Sequence, residues 1–438
     1  MFTNPVVLSV LTMIVLCLLK LNVILSLIIA ALVGGAVAGM PMGETISILI
    51  DGMGGNSETA LSYILLGGLA AAIHKTGAAE ILSIKIAKGI KGKKTILLFI
   101  LAIVACLSGT VIPVHIAFIP ILIPALIPLM NTIKMDRRAA SCALAFGLKA
   151  PYLTLPIGYG LIFHGIVKEQ VTASGMPITV DMVWKSTWVA GLAMLTGFII
   201  SIFTYRKSRE YKMDDEFKAE YEDLDDLLKK DVKVTKEHYI SLIAGAVTLV
   251  VQIIFGSLPL GAMFGIAIML ATKVIKWSSI DELMDSGIVM MGFIAFVMLV
   301  ASGYAAVIRE TGGIETLVNS AAAMMRGSKV IAAIVMLLSG LMVTMGIGTS
   351  FGTVPIIAAI YVPLALKVGF STKATILLIA TAAALGDASS PASDTTLGPT
   401  SGLNIDGQHD HIWDTCIPSF LHYTVPLSIF GLIGVSMF

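Results

Sequence analysis

Charge is scarce in this chain of 438 residues. Lys, Arg, Asp and Glu make up 13% of it, about half the share in soluble domains, and they balance to a net +1. So small a net charge leaves no electrostatic footprint for nucleic acid or for an acidic surface. Cysteine is nearly absent. Cys17, Cys106, Cys142 and Cys416 include three in apolar runs and none with metal-ligand spacing, which leaves packing as their role. No zinc-protease HExxH and no nucleotide-binding glycine loop is present, so zinc proteolysis and ATP-driven pumping lack their parts. The first apolar run, Pro5 to Leu19, has no basic leader or small-residue cleavage site and is expected to stay as a helix. What the chain has is apolar sequence, 57% of it, in runs near the roughly 20 residues that cross a bilayer. The fold class expected is an all-α membrane protein.

Helices are expected over 4–19, 23–40, 57–74, 138–165 and 185–204, then 239–255, 259–274, 288–308, 374–402 and 418–436. Two further apolar stretches, 95–130 and 329–366, carry small polar residues and prolines at their centres. These read Ser108-Gly109-Thr110-Val111-Ile112-Pro113 and Thr344-Met345-Gly346-Ile347-Gly348-Thr349-Ser350. The chain also repeats itself. A shift of 235 positions (391 − 156) lays Pro156 on Pro391, Ile73 on Ile308, Thr76 on Thr311, Gly77 on Gly312, Lys94 on Lys329, Pro120 on Pro355 and Pro128 on Pro363, without a gap. Duplicated halves with interrupted helices in corresponding places mark secondary transporters.

Charge fixes an expected orientation. Lys85, Lys88, Lys91, Lys93 and Lys94 precede 95–130, and Lys134, Arg137 and Arg138 follow it. Positive flanks stay cytoplasmic, so that stretch reads as a re-entrant hairpin entering from inside. Five crossings per half then invert the second half. The domains expected are residues 1–205 (hairpin 95–130, broken helix 138–165), a cytoplasmic charged linker 206–238, and residues 239–438 (hairpin 329–366, broken helix 374–402). Both termini fall outside.

The chemistry concentrates after the apolar run Ala374 to Leu385, in Gly386-Asp387-Ala388-Ser389-Ser390-Pro391-Ala392-Ser393-Asp394-Thr395-Thr396. Carboxylates at membrane depth are costly and are read as ion or substrate sites. Glycine and proline there break the helix and free backbone carbonyls for a cation. Asp387, Ser389, Ser390, Ser393, Asp394, Thr395 and Thr396, with Thr349 and Ser350 from the second hairpin tip, supply hard oxygen ligands for Na+. Some of those hydroxyls are expected only to satisfy freed carbonyls. Asp387 and Asp394 are the metal-facing pair.

Under the repeat, Tyr152 faces Asp387 and Tyr159 faces Asp394, so the first broken helix keeps phenols where the second keeps anions. Lys149 on that helix is open to three readings: an ion pair with Asp387 or Asp394, a partner for a solute carboxylate, or a side chain snorkelling to an interface. Solute-binding candidates are Ser108, Gly109, Thr110, Lys149, Thr154, Gly348, Asn56 and Glu58. Glu58 is ordinarily a dipole-compensating residue in a first turn, and Asn56 or Ser57 a cap. The segment Asp406-Gly407-Gln408-His409-Asp410-His411-Ile412-Trp413-Asp414 has the composition of a metal site or pH sensor. A hydrated cytoplasmic loop with Trp413 as an interfacial anchor is simpler. His74 and His115 are ambiguous, His115 being nearer a hairpin tip.

The Gly-Asp-x-x-Ser-Pro-x-Ser-Asp-Thr-Thr pattern at Gly386 to Thr396 resembles the signature of the NhaC-type Na+/H+ antiporter family, within the wider ion transporter superfamily. Gly54 to Tyr63 and Gly407 to Thr415 look like a bacterial branch that includes amino-acid, notably histidine, permeases. The resemblance covers most of the chain outside 206–238. It implies an inverted-repeat fold with two re-entrant hairpins, an elevator-type mechanism, a homodimer and a place in the bacterial inner membrane. Cation-site roles carry over to Ser393, Asp394, Thr395 and Asp387. Lys149 fits plain Na+/H+ exchange awkwardly.

The expectation is a secondary active transporter coupled to Na+ and/or H+, with a cation-coupled amino-acid permease as the alternative. An intramembrane aspartyl protease is a remote third, since Leu385-Gly386-Asp387 lacks a second Tyr-Asp partner. No enzyme activity and no cofactor beyond the coupling ions is expected; the partners are the lipid bilayer and a small-molecule or ion substrate.

Overall fold

A computed structural model describes residues 4–19, 21–77, 94–110, 119–212, 235–255, 257–324, 328–391 and 393–438. Helices make up its regular structure, with no strand among the described residues. The first half contains α1 (Pro5–Leu18), α2 (Val23–Val37), α3 (Met42–Met53), α4 (Ser57–Lys75), α5 (Lys94–Thr110), α6 (Ile119–Thr132), α7 (Arg137–Thr154), α8 (Tyr159–Ala173) and α9 (Val180–Thr204). The second contains α10 (Lys236–Phe255), α11 (Leu258–Ala271), α12 (Ile280–Glu310), α13 (Gly313–Met324), α14 (Lys329–Ile347), α15 (Ser350–Val368), α16 (Thr372–Asp387), α17 (Asp394–Leu403) and α18 (His411–Met437, with two π turns).

The 235-residue offset reappears in the starts of these helices. Val23 and Leu258, Lys94 and Lys329, Arg137 and Thr372, and Tyr159 and Asp394 each open corresponding elements. The caps follow suit. Asn22 and Ser257 cap α2 and α11, and Asp136 and Ser371 cap α7 and α16, their side-chain oxygens taking a free N–H of the first turn. Packing repeats as well: a Cβ on Gly147 would collide with Ala105, and a Cβ on Gly340 with Ala382, the same contact with its partners exchanged. Small residues at such points let apolar helices approach to backbone contact.

Among the described residues, four helical segments are long and apolar enough to span a bilayer: Val180–Thr204, Met291–Glu310, Ser350–Val368 and His411–Met437. The pair α7 and α8, bent by 48°, makes a fifth. Five further apolar helices are shorter, among them Val23–Val37 and Leu258–Ala271. On α9, Leu192, Leu195, Ile199, Ile200 and Phe203 stand exposed, an apolar stripe suited to lipid.

Two sequence expectations need correction. Residues 42–53 form a helix that a search for full-length spans passes over, because it is only 12 residues long and carries Glu44 and Asp51. Residues 406–414 are not simply a hydrated loop. Asp410 caps α18, which starts at His411, and the segment before it is tied down. Arg137, fully buried, grips both oxygens of Asp406 at 2.5 and 2.6 Å and also donates to Leu403 O and Asn131 Oδ1. Tyr211 stacks under its guanidinium at 4.1 Å, and Arg209 pairs with Asp414 at 2.7 Å. This clasp binds the start of α7, the end of α17 and the start of the linker. Burial opposes ionisation of Asp406, but the Arg137 guanidinium overrides it and holds the carboxyl below its usual range. Burial pushes the His409 imidazole down to about 4 against the pull of Asp414, so it stays neutral beside Thr415 Oγ1. The rest of the linker, residues 213–234, lies outside the described residues, as does His115; of His74 only the backbone is described.

Candidate functional site

Helix α16 ends on Asp387 because Gly386, Pro391 and a crowd of hydroxyls offer its last carbonyls other partners. Gly386 is required there, since any Cβ would strike the backbone of α14 at Met345 N. The freed carbonyls are taken up locally. Thr424 Oγ1 donates to Leu385 O at 2.8 Å, Thr395 Oγ1 to Asp387 O at 2.6 Å and Thr396 Oγ1 to Ser390 O at 2.5 Å. Ser393 then caps α17.

The Asp387 carboxylate, only 5% exposed, is wrapped in donors. Oδ2 receives the hydroxyls of Ser350 at 2.5 Å and Tyr152 at 2.8 Å, and the Lys149 ammonium lies 3.2 Å away. Oδ1 receives the Ser393 hydroxyl, with Thr395 Oγ1 at 3.5 Å. Lys149 is 1% exposed and, among the described residues, has no hydrogen-bond partner beyond this ionic contact. Burying a charge pair this fully demands such compensation, because an isolated charge in a low dielectric is strongly disfavoured. Of the three readings of Lys149, its position matches the ion pair with Asp387 and excludes snorkelling.

Tyr152 and Asp387 are 235 residues apart and bonded to each other. Repeat-equivalent residues that touch lie where the two halves meet, so the site stands at the centre of the duplication. The opposite break is built differently. Leu155 leaves α7 in extended conformation, Gly158 turns with φ of 60°, and His164 Nε2 and Gln252 Nε2 meet the carbonyls of Leu153 and Gly158 at 3.2 and 3.3 Å. His164 and Gln252 are site-shaping residues that the sequence pattern did not single out, since nothing local marks a partner 11 or 94 residues away. Five rings form a connected cluster that reaches the carboxylate through Tyr152. Tyr152 and Phe163 each touch Phe351, which touches Tyr63, which touches Tyr159, with centroids 5.1 to 6.1 Å apart.

Not every expected ligand converges. Ser350, Ser393 and Thr395 gather on Asp387, as do Lys149 and Tyr152. Ser389 pairs with Thr424, Ser390 donates to Met345 O, and Thr396 serves carbonyls. Thr349 precedes α15 with no cap bond from its side chain, and Gly348 closes α14 with φ of 80°. Thr110 donates to Cys106 O and Thr154 to Ala150 O, both within their own helices. Asn56 is buried and donates to Met298 O; Glu58 lines a separate cavity. The side chains of Ser108 and Asp394 lie outside the described residues, as does the surface of Gly109; Asp394 opens α17. No group of three His, Cys, Asp or Glu able to hold a metal occurs among the described residues, which disposes of the metal reading of 406–414 there.

Gly348-Thr349-Ser350-Phe351-Gly352 has the Gly-x-Ser-x-Gly spacing of serine hydrolases. It joins two helices rather than a strand and a helix, and Ser350 bonds a carboxylate and a phenol rather than an imidazole. A nucleophile elbow needs both contexts.

Comparison with known proteins agrees with this membrane architecture. A model of the Na+/H+ antiporter family matches residues 143–432, and a second Na+-H+ antiporter family model matches residues 4–90. The chain is 45% identical to a membrane protein of Vibrio parahaemolyticus over 98% of its own length and 99% of the relative's. It is 43% identical, with the same coverage, to a Bacillus subtilis protein named "Putative amino acid transporter YuiF". Two solved transporters share the fold at 13% identity and a TM-score of 0.60. One is Neisseria gonorrhoeae MtrF, described as illuminating a class of antimetabolite efflux pumps, with 89% of this chain and 83% of that chain covered. The other is the Alcanivorax borkumensis YdaH transporter, with 90% and 88% covered. The chain is a membrane transporter and belongs to the Na+/H+ antiporter family.

Proposed function

We propose that this chain is a secondary active transporter coupled to Na+ and/or H+, working by elevator-like alternating access. The observation that carries this is the buried Lys149–Asp387 pair at the break after α16, ringed by hydroxyls. Lys149 acts as a built-in substitute for the coupling cation. When Na+ arrives, Ser350, Ser393 and Thr395 turn lone pairs towards it, Asp387 supplies the anionic ligand, and the like-charged ammonium is displaced. When a proton arrives, it neutralises Asp387 and releases Lys149 in the same way. Either event removes the pair that holds the two broken helices together and lets the halves move. Asp394, at the start of α17, completes the cation site.

The matched helix starts and caps of the two halves support an inverted repeat with hairpins at α5–α6 and α14–α15. The expected sidedness, with outside termini, a cytoplasmic linker, a bacterial inner-membrane location and a homodimer, belongs to the same reading. No catalytic step is assigned to the chain.

Lys149 and the name of the Bacillus relative favour a second reading, in which the coupled solute is an amino acid. Reconstitution in liposomes tests both. A sodium gradient is expected to drive proton movement or amino-acid uptake in the wild type. Asp387→Asn and Asp394→Asn each abolish it while the protein still purifies folded. Undiminished sodium-driven flux in Asp387→Asn would overturn the assignment.

A further inference from the structure

The histidines at the start of α18 take no part in binding the cation, yet one of them holds the loop that does. His411 opens α18 and bridges the two sides of the break. Its Nε2 meets Pro391 O at 2.9 Å, and its Nδ1 meets Thr400 Oγ1 of α17 at 2.7 Å. Pro391 lies between α16 and α17, two residues before Ser393, whose hydroxyl is bonded to Asp387 Oδ1. A carbonyl only accepts, so Nε2 carries a hydrogen and donates to Pro391 O whatever the charge of the ring.

Thr400 then decides what Nδ1 can do. Its hydroxyl has one hydrogen and three polar neighbours: His411 Nδ1, Thr396 O at 2.9 Å and Thr415 Oγ1 at 3.0 Å. Beside a neutral ring that hydrogen points at Nδ1. Beside a charged ring Nδ1–H donates to Thr400, whose hydrogen turns to Thr396 O or Thr415 Oγ1. Both protonation states therefore keep both bonds of the imidazole. Water reaches the place, since His411 is half-buried and Pro391 exposed.

The charges around the ring tolerate a proton. A helix N-terminus disfavours a cation, but Asp410 sits there, its carboxylate accepting from Ile412 N and Trp413 N at 2.9 and 2.7 Å. The Cys416 thiol lies 3.6 Å from Nε2. Beyond Thr415 stands His409, bonded to Thr415 Oγ1 at 2.7 Å and surrounded by the charges of Asp414, Arg137, Arg209 and Asp136.

We infer that His411 is a second proton-binding site, separate from Asp387, and that its charged form weakens sodium binding at the break. The inference rests on the cation-site reading and adds a control to it. Two effects act in the same direction. The imidazolium sets a positive charge against the loop that supplies Ser393 to the cation. Its charge-assisted bond to Pro391 O also holds that loop in the arrangement that keeps Ser393 on Asp387 and Asp387 on Lys149. Acid then lowers sodium affinity from a distance, over and above direct competition for Asp387.

Half-saturating sodium tests this, read from the rise in melting temperature of the purified full chain at about pH 8 and about pH 5, on either side of the ordinary histidine range. His411→Gln keeps a donor for Pro391 O and cannot take up a proton. It is expected to match the wild type at the higher pH and to bind sodium about fivefold or more tightly than the wild type at the lower one. Thr400→Val removes the acceptor for the second N–H and is expected to tighten sodium binding in acid as well. By linkage, sodium added to weakly buffered protein near pH 6 releases more protons from the wild type than from His411→Gln. Equal sodium affinities in acid, or a loss in His411→Gln already present at the higher pH, would overturn the inference and leave the cation site standing. No sodium response from the wild type at either pH would overturn the cation-site reading and this inference with it. Cooperative melting checks the folding of each variant. If His411→Gln does not fold, Thr400→Val decides, and wild-type sodium affinity in acid in that variant would overturn the inference.

Discussion

Replacing Lys149 with Met removes an ammonium 3.2 Å from Asp387 Oδ2 and leaves a carboxylate buried with only hydroxyl donors. At an effective dielectric near 20, two unit charges at that distance attract by roughly 332/(20 × 3.2), or about 5 kcal/mol. Truncating one partner of a buried pair ordinarily costs about 3–5 kcal/mol, whereas removing both is nearly neutral. Tyr152, Ser350 and Ser393 still solvate the anion, which places Lys149→Met towards the lower end of that range. Asp387→Asn strands the ammonium, which has no second acceptor among the described residues, and is expected to cost more. Lys149→Met/Asp387→Asn is then expected to be more stable than either single variant, with a coupling energy of about 3 kcal/mol or more. Reversible unfolding in mixed detergent micelles measures the four corners of the cycle. Coupling below about 0.5 kcal/mol, the scatter of independent sites, would refute the pair as a major constraint on the site.

Further outcomes follow from the same geometry. Sodium is expected to raise the melting temperature of Lys149→Met more than that of the wild type, because the competing ammonium is gone; an equal sodium response refutes displacement. Arg137→Gln strands Asp406 and is expected to cost about 3–5 kcal/mol, with Arg137→Gln/Asp406→Asn recovering much of it in the same unfolding assay. The folded-state pKa of His409 lies below its unfolded value, so its contribution is complete above about pH 6.5 and fades as pH falls towards 4. His409→Gln should flatten that part of the melting-temperature profile. Asp406, depressed in the fold, keeps its contribution above its unfolded pKa near 3.9, so its loss belongs to a lower window. Gly160→Ala drives a methyl into Leu155 O and is expected to prevent the α7–α8 break from forming, seen as loss of folded protein on size-exclusion chromatography.

The parts of this molecule that were legible in sequence are those fixed by backbone chemistry. Gly386, Pro391 and the hydroxyls around them announced a helix break at membrane depth, and α16 does end at Asp387. The offset linking Pro156 to Pro391 also relates the caps Asp136 and Ser371. What stayed hidden depends on packing between distant segments. Tyr63, Phe163 and Phe351 sit on three helices with nothing local to mark them as one cluster. Arg137 read as a cytoplasmic positive charge, yet it is fully buried, because a carboxylate 269 residues away fits its guanidinium on both oxygens. Helix α12 starts at Ile280 rather than near 288, since Asp281, Glu282 and Asp285 make a polar entrance that an apolar window discards.

A lysine paired with an aspartate inside a transport site has an electrical consequence. In the proposed cycle the vacant Lys149–Asp387 pair neutralises itself, so the pair adds no work against the membrane potential when the pocket returns across the bilayer. If one sodium displaces the still-protonated ammonium, the pocket gains a full positive charge, worth about 2.3 kcal/mol per 100 mV. Voltage would therefore act on the loaded pair and leave the vacant pair alone.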